Sequence, residues 1–309
     1  MTGTEPVWVL EDPRAGTAAQ ALGIAERLGL PFRRVMLRYG RLAALPFPWP
    51  TLAGLATPRG FGPPWPRLAI SAGRRAAPVS RWLRRKGVRT VHAMRPGFGA
   101  RDFDLLVLGR HDEPRPAPNV LPILGAMHRL SPARLSEARA EWTGLAAHRA
   151  PRVALLVGGP PGGQDMPEAE AAALVPAILR AVPDAAILCT TSRRTGAAAT
   201  AVLARELRGA RHRLYAWGDG GPNPLLGFLA WADAVVVTAD SVSMLSEALS
   251  TAVPVFVAGE AAGRHAKLLG SMYEAGQALP LARADLTFRR TPLDETGRVA
   301  AEIRSRGWV

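Results

Sequence analysis

"TADSVSMLSEALSTAVPVF" spans Thr238 to Phe256. It opens on the end of a continuous apolar run, AVVVTAD (234–240). It passes through a segment with helical spacing (243–250) and closes on a second apolar run, PVFVAG (254–259). Strands that are apolar without alternation, separated by helices, belong to parallel sheets covered on both faces. The join between strand and helix is rich in hydroxyls, with Ser241 and Ser243, and Glu247 follows one turn beyond Ser243. Ligands of open parallel sheets bind beyond the carboxyl ends of the strands, which makes this join a candidate site.

The same alternation covers the rest of the chain. VWVL (7–10) precedes a helix from Thr17 to about Leu28, stopped by Gly29. LAIS (68–71) precedes a helix with Pro78 in its first turn, and LLVLG (105–109) and VLPILG (120–125) follow. A polar helix over 131–148 leads to Pro151. The pattern then restarts with strands at 152–159, 185–192 and 213–217 and helices at 167–181, 197–208, 224–231 and 264–275. The expected fold is α/β: two Rossmann-like doubly wound parallel-sheet domains, 1–150 and 151–291, with a cleft between them. The final helix (292–306) is expected to return to the first domain. A length of 309 residues suits two domains.

A chain 48% apolar and 21% charged is globular. Cys189 is the one cysteine, so no intrachain disulfide can form and a reducing compartment is expected. The N-terminal residues lack the basic and apolar regions of a signal peptide, and no apolar run reaches spanning length. The expected location is the cytoplasm, free or peripheral on the inner membrane face. The net charge of +14 is lopsided. Residues 1–130 hold 20 basic and 8 acidic residues, against 19 and 17 in 131–309. Either the chain has an Arg-rich composition bias, or its first half meets an anionic partner. Seven prolines exclude regular structure from 46–66. Its Phe47, Trp49, Phe61 and Trp65 either pack onto the domain or contact a membrane.

Several chemistries are excluded by pattern. Scattered histidines and one cysteine make no zinc site, and no metal ligand set is expected. Asp102 and Asp104 begin a strand rather than end one, unlike a metal-binding pair at a strand's carboxyl end. No nucleophile elbow and no nucleic-acid module occur. Gly158 and Gly159 end a strand and permit close backbone approach. TTSRRTG (190–196) offers Thr191, Ser192, Arg193 and Arg194 to phosphate oxygens. Asn223 starts a helix, where contact with the donor base is expected. Asp240 and Ser241 are candidate phosphate-binding residues; the alternative is that they simply cap the helix, a role compatible with anion binding. Glu247 lies four residues after Ser243, which does not fit a capping box. It sits off the apolar face of Val242, Leu245 and Leu249, where a side chain is solvated. In the first half, Asp12, His111 and Asp112 are candidate general bases.

Read together, EDPRAGTAAQ (11–20), SAGRRAAPVS (71–80), GRHDEP (109–114), TTSRRTG and TADSVSMLSEA (238–248) resemble the mitochondrial fission family named for the elongated-mitochondria phenotype of plants. That family has many bacterial members and a poorly defined activity. The resemblance spans essentially the whole chain, and the plant role in organelle division is not carried over. More coarsely, the second half resembles GT-B nucleotide-sugar glycosyltransferases. That likeness implies a donor diphosphate at the helix start of Ser241 and Ser243, and a ribose on the Glu247 carboxylate. It implies a nucleotide-diphosphate sugar as donor substrate and no obligatory cofactor. Gly16, Gln20, Ser71 and Gly73 would line an acceptor side, with Arg74, Arg75 and Arg110 holding an anionic acceptor or lipid. No nucleic acid is expected as partner. The second reading is a non-catalytic membrane-surface adaptor.

Overall fold

The computed structural model describes residues 6–309 except 59, 161 and 210. The first five residues of the N-terminal stretch therefore lie outside the described residues. The chain forms two compact units, one of residues up to Arg129 together with Asp294–Val309, the other Leu130–Leu293.

Unit 1 contains β1 (Val7–Glu11), α1 (Ala15–Leu28), β2 (Phe32–Met36), β3 (Leu68–Ala72), α2 (Ala77–Arg84), β4 (Arg89–Ala93), β5 (Leu105–Gly109) and β6 (Val120–Ile123). Its six parallel strands run in the order β2-β1-β3-β4-β5-β6. β1, β3 and β5 are buried along their whole length, as their unbroken apolar sequences require. The sequence pattern does not reveal β2 or β4. β2 is an edge strand with Arg33 and Arg34 exposed, and β4 buries the polar Thr90 and His92.

Unit 2 contains α3 (Pro132–Glu141), β7 (Arg152–Val157), α4 (Glu168–Ala181), β8 (Ala186–Thr191), α5 (Ala197–Glu206), β9 (Arg213–Tyr215), α6 (Leu225–Trp231), β10 (Ala234–Thr238), α7 (Val242–Leu249), β11 (Val255–Ala258), α8 (Gly263–Glu274) and β12 (Leu279–Pro280). Its parallel sheet has the order β12-β11-β10-β7-β8-β9. Counted within the unit this is 6-5-4-1-2-3, the dinucleotide-fold order. Strand order reverses between β7 and β10, and there the helices switch faces and leave a crevice.

The division falls after Arg129 rather than near residue 150. α3 belongs to unit 2, where Trp142 lies against Gly227 of α6 so closely that a Cβ on the glycine would collide with the indole. Trp142 leaves helical geometry, and the expected 131–148 helix ends there, followed by a short 3-10 turn. α9 (Glu295–Ser305) packs on α1, burying Val299, Ala300 and Ile303 in the core of unit 1. Its Glu295 accepts the Leu124 backbone N–H at 2.7 Å.

Candidate functional site

The crevice of unit 2 is built from two loops about eighty residues apart in sequence. The chain leaves β7 at Gly158 and β10 at Thr238. The Gly158 N–H donates to Thr238 Oγ1 at 2.8 Å, and the Gly159 N–H donates to the Asp240 carboxylate. A Cβ at Gly158 would strike that carboxylate, and one at Gly159 would strike the Arg194 carbonyl. Both glycines thus serve close packing of the site's own loops. The Arg194 guanidinium approaches Asp240 at 3.8 Å.

Thr195 ties the third loop to this core. It is fully buried, and its hydroxyl donates to the Gly158 carbonyl at 2.6 Å. It accepts the Ser192 N–H at 3.0 Å, and the Ser192 hydroxyl accepts the Arg194 N–H at 3.2 Å. Thr191 Oγ1 accepts the Trp217 N–H at 2.8 Å, placing the exposed Trp217 beside this loop. Arg193 is exposed. The structure therefore gathers Gly158, Gly159, Ser192, Arg194, Asp240 and Ser241 around one crevice. Asn223 stays with its own turn, accepting the Leu225 N–H at 3.0 Å.

α7 starts at this crevice. Ser241 makes no capping side-chain bond, and Asp240 is committed to Gly159, so neither side chain caps the helix. Its first-turn N–H groups and dipole favour an anion. Ser243 is exposed at this end. One turn on, Glu247 is half-buried, not on a solvated flank. Burial pushes its carboxyl up to about 7, while the Arg134 guanidinium of α3 pulls the other way. The far end of α7 is held by Arg290, which the sequence reading did not single out. Its guanidinium donates to the carbonyls of Thr251 at 2.6 Å, Leu249 at 2.9 Å, Val253 at 3.0 Å and Ala248 at 3.2 Å. Burial lowers its pKa to about 10, so it stays charged at neutral pH.

In unit 1 the candidate bases are engaged. Asp12 is buried; it accepts the Arg14 N–H at 2.8 Å and the Arg75 guanidinium at 2.9 Å. Asp112 is buried, with Arg95 Nε at 3.3 Å, while His111 Nε2 stands 3.7 Å from it, beyond hydrogen-bond reach. Ser71 is wholly buried and bonds His92 Nδ1 at 2.8 Å, which makes it a core residue and not a lining one. The His92 ring stacks on Phe103, and burial holds its pKa down to about 3. Gly73 takes a positive φ of 81°, forced by the turn after β3. Gln20 is buried on α1, whereas Gly16, Arg74 and Arg110 are exposed. Asp102 and Asp104 are ion-paired, to Arg81 and to Arg84 and Arg89. Among the described residues no cluster of three or more His, Cys, Asp or Glu could hold a metal ion, and no helix is long and apolar enough to cross a membrane.

The family model described as Mitochondrial fission ELM1 matches residues 15–307. The chain belongs to that family. Mitochondrial fission protein ELM1 of Arabidopsis thaliana is 30% identical over 79% of this chain, which spans 65% of that relative's length. Among solved structures, the putative UDP-N-acetylglucosamine 2-epimerase from Listeria monocytogenes has a TM-score of 0.59 at 13% identity. The likeness covers 99% of this chain and 97% of that one. The S. aureus MnaA–UDP co-structure has a TM-score of 0.52 at 11% identity, covering 97% and 87%. At such identities the likeness is one of fold. This member of the ELM1 family has the GT-B-like architecture of two parallel-sheet units.

Proposed function

We propose that unit 2 binds the diphosphate and ribose of a nucleotide sugar, and that the protein is glycosyltransferase-like, with an anionic acceptor held by unit 1. The observation that carries this is the placement of Glu247 one turn into α7, off a crevice at the topological switch point. The start of α7 is uncapped and lies beside the Asp240–Arg194 pair, and the Glu247 carboxyl one turn on is desolvated. A carboxylate accepts two ribose hydroxyls, a helix start and a guanidinium suit diphosphate, and the exposed Trp217 offers a face to a base. Two solved structures with this fold are a putative UDP-N-acetylglucosamine 2-epimerase and a complex with UDP, which supports the same ligand class. Catalysis would rest on electrostatic stabilisation of the leaving diphosphate, with no obligatory metal.

A specific observation favours the second reading, a non-catalytic adaptor on an anionic lipid surface. Asp12 and Asp112 are both neutralised by arginines, and His111 is out of reach of Asp112. The experiment that separates the readings is calorimetric titration of the protein and of Glu247→Ala with UDP and UDP-sugars, followed by an assay for release of UDP. Binding that falls about 10-fold or more in the variant supports the nucleotide site, since hydrogen bonds to charged groups contribute about 1.5–3 kcal/mol. Binding without turnover supports the adaptor. No binding by the parent protein overturns the nucleotide site.

A further inference from the structure

Unit 1 contains a pocket of about 370 Å³ at the carboxyl end of β3, closed over by the first part of the proline-rich segment. One wall is apolar, made by Leu45, Phe47, Leu55, Val79 and Phe98; Arg74 and Arg75 lie at its edge. Such a volume falls in the range of small-molecule sites, about 300–1,000 Å³. The proline-rich segment divides. Phe61 and Trp65 pack against Trp8 and Trp82 at the edge of the core. Trp49, 58% exposed, instead packs on Phe47 of the pocket lining, and Leu45 and Phe98 of the same lining stand about half exposed, at 55% and 49%. Large apolar side chains exposed together mark a contact surface.

The lining of this pocket carries arginines and no acid, with Asp12 paired to Arg75. No Asp or Glu occurs between Glu26 and Asp102. Arg75 spends one nitrogen on Asp12 and lays its guanidinium over the Tyr39 ring at 4.3 Å, while its Nε is buried and has no hydrogen-bond partner. Arg74 is exposed.

We propose that this pocket takes a single anionic amphiphile drawn from a lipid surface. Its phosphate head lies on Arg74 and Arg75, its apolar chain runs along Leu45, Phe47 and Phe98, and the exposed rim rests among neighbouring lipids. The inference rests on unit 1 being the acceptor side and names the class of acceptor. It requires no nucleotide.

The test is calorimetric titration of the full chain, without nucleotide, with dihexanoyl phosphatidic acid below its micelle concentration. Dihexanoyl phosphatidylcholine and inorganic phosphate are the comparison ligands. Phosphatidic acid should bind at least about tenfold more tightly than either, with Arg74→Ala and Phe98→Ser each weakening it about tenfold, equivalent to about 1.4 kcal/mol. Both side chains are exposed, so the fold should survive; Leu45→Ser replaces Phe98→Ser if melting shows otherwise. The proposal falls if phosphate binds as well as phosphatidic acid, if phosphatidylcholine does, if both variants bind like the parent, or if nothing binds. UDP titration of the parent protein keeps the two readings apart. A parent that binds phosphatidic acid but no UDP has no nucleotide site, and the pocket is an adaptor's lipid site. A parent that binds UDP but no amphiphile takes a water-soluble acceptor, and the pocket proposal falls.

Discussion

The Asp240 carboxylate accepts the backbone N–H of Gly159, joining the loop after β10 to the loop after β7 across the switch point of unit 2. On the proposed nucleotide reading, the Gly159 N–H that would meet a ligand phosphate is already taken by the protein's own carboxylate, with Arg194 3.8 Å away. A diphosphate entering the crevice meets a negative charge that Arg194 offsets only in part. Asp240→Asn keeps an oxygen for the Gly159 N–H and removes that charge. It should leave thermal stability nearly unchanged and tighten nucleoside diphosphate binding several-fold at low salt. Asp240→Ala leaves the N–H without its partner and should cost about 1–3 kcal/mol of stability. Equal stability of the two variants in denaturant unfolding would show that the bond contributes nothing.

Glu247 makes unit 2 less stable as pH rises. Its folded pKa of about 7 stands above the ordinary 4.5. Between those values the folded state keeps a proton that the unfolded chain has lost, so the stabilisation is complete below about 4.5 and gone above about 7. At about 1.4 kcal/mol per tenfold change in proton affinity, the swing is on the order of 3 kcal/mol. Glu247→Gln should abolish it, matching the parent near pH 5 and exceeding it near pH 8. Hydrogen exchange of β10 and β11 amides across that range measures the effect.

His92 gives unit 1 the opposite slope. Burial lowers its pKa to about 3 from the ordinary 6.5. The unfolded chain therefore takes up a proton below about 6.5 that the folded core refuses, and stability is lost as pH falls through that value. The loss approaches the order of 4 kcal/mol near pH 3. His92→Asn, which can still accept from Ser71, should flatten the profile. Exchange of the β3 and β4 amides follows unit 1 separately from unit 2, and parallel slopes in both units would contradict the assignment.

Arg290 holds the carboxyl end of α7 and so the position of Glu247. Its guanidinium reaches carbonyls of Ala248, Leu249, Thr251 and Val253. Arg290→Met keeps much of the packing and leaves those carbonyls unpaired, and should lower stability by about 2–4 kcal/mol. Arg290→Lys should recover only part, because an ammonium cannot present the planar fork of donors that meets four carbonyls. Full recovery by lysine in thermal unfolding would show that charge alone matters there.

The α/β class was legible because β7, β8, β10 and β11 are apolar without interruption, and only a strand covered on both faces has that composition. β2 and β4 were hidden because an edge strand can carry Arg33 and Arg34, and because a histidine can be buried once Ser71 and Phe103 meet its ring. The helix after Ser131 ran too long in the sequence reading because its polar spacing continues past Trp142. It ends where Trp142 leaves helical geometry and packs on Gly227 of α6, more than eighty residues away.

Local chemistry, carried by the order of the residues, placed glycines, hydroxyls and a carboxylate at strand ends, and the strand order turned those ends into a crevice. The state of each group was decided by contacts between distant segments. Asp240 bonds a backbone 81 residues away, Ser71 turns into the core, and Asp12 and Asp112 meet Arg75 and Arg95. Glu247 loses water to its surroundings, which raises its pKa to about 7. Spacing along a chain sets which face a side chain occupies; the dielectric and the charges that side chain meets exist only once the chain has folded.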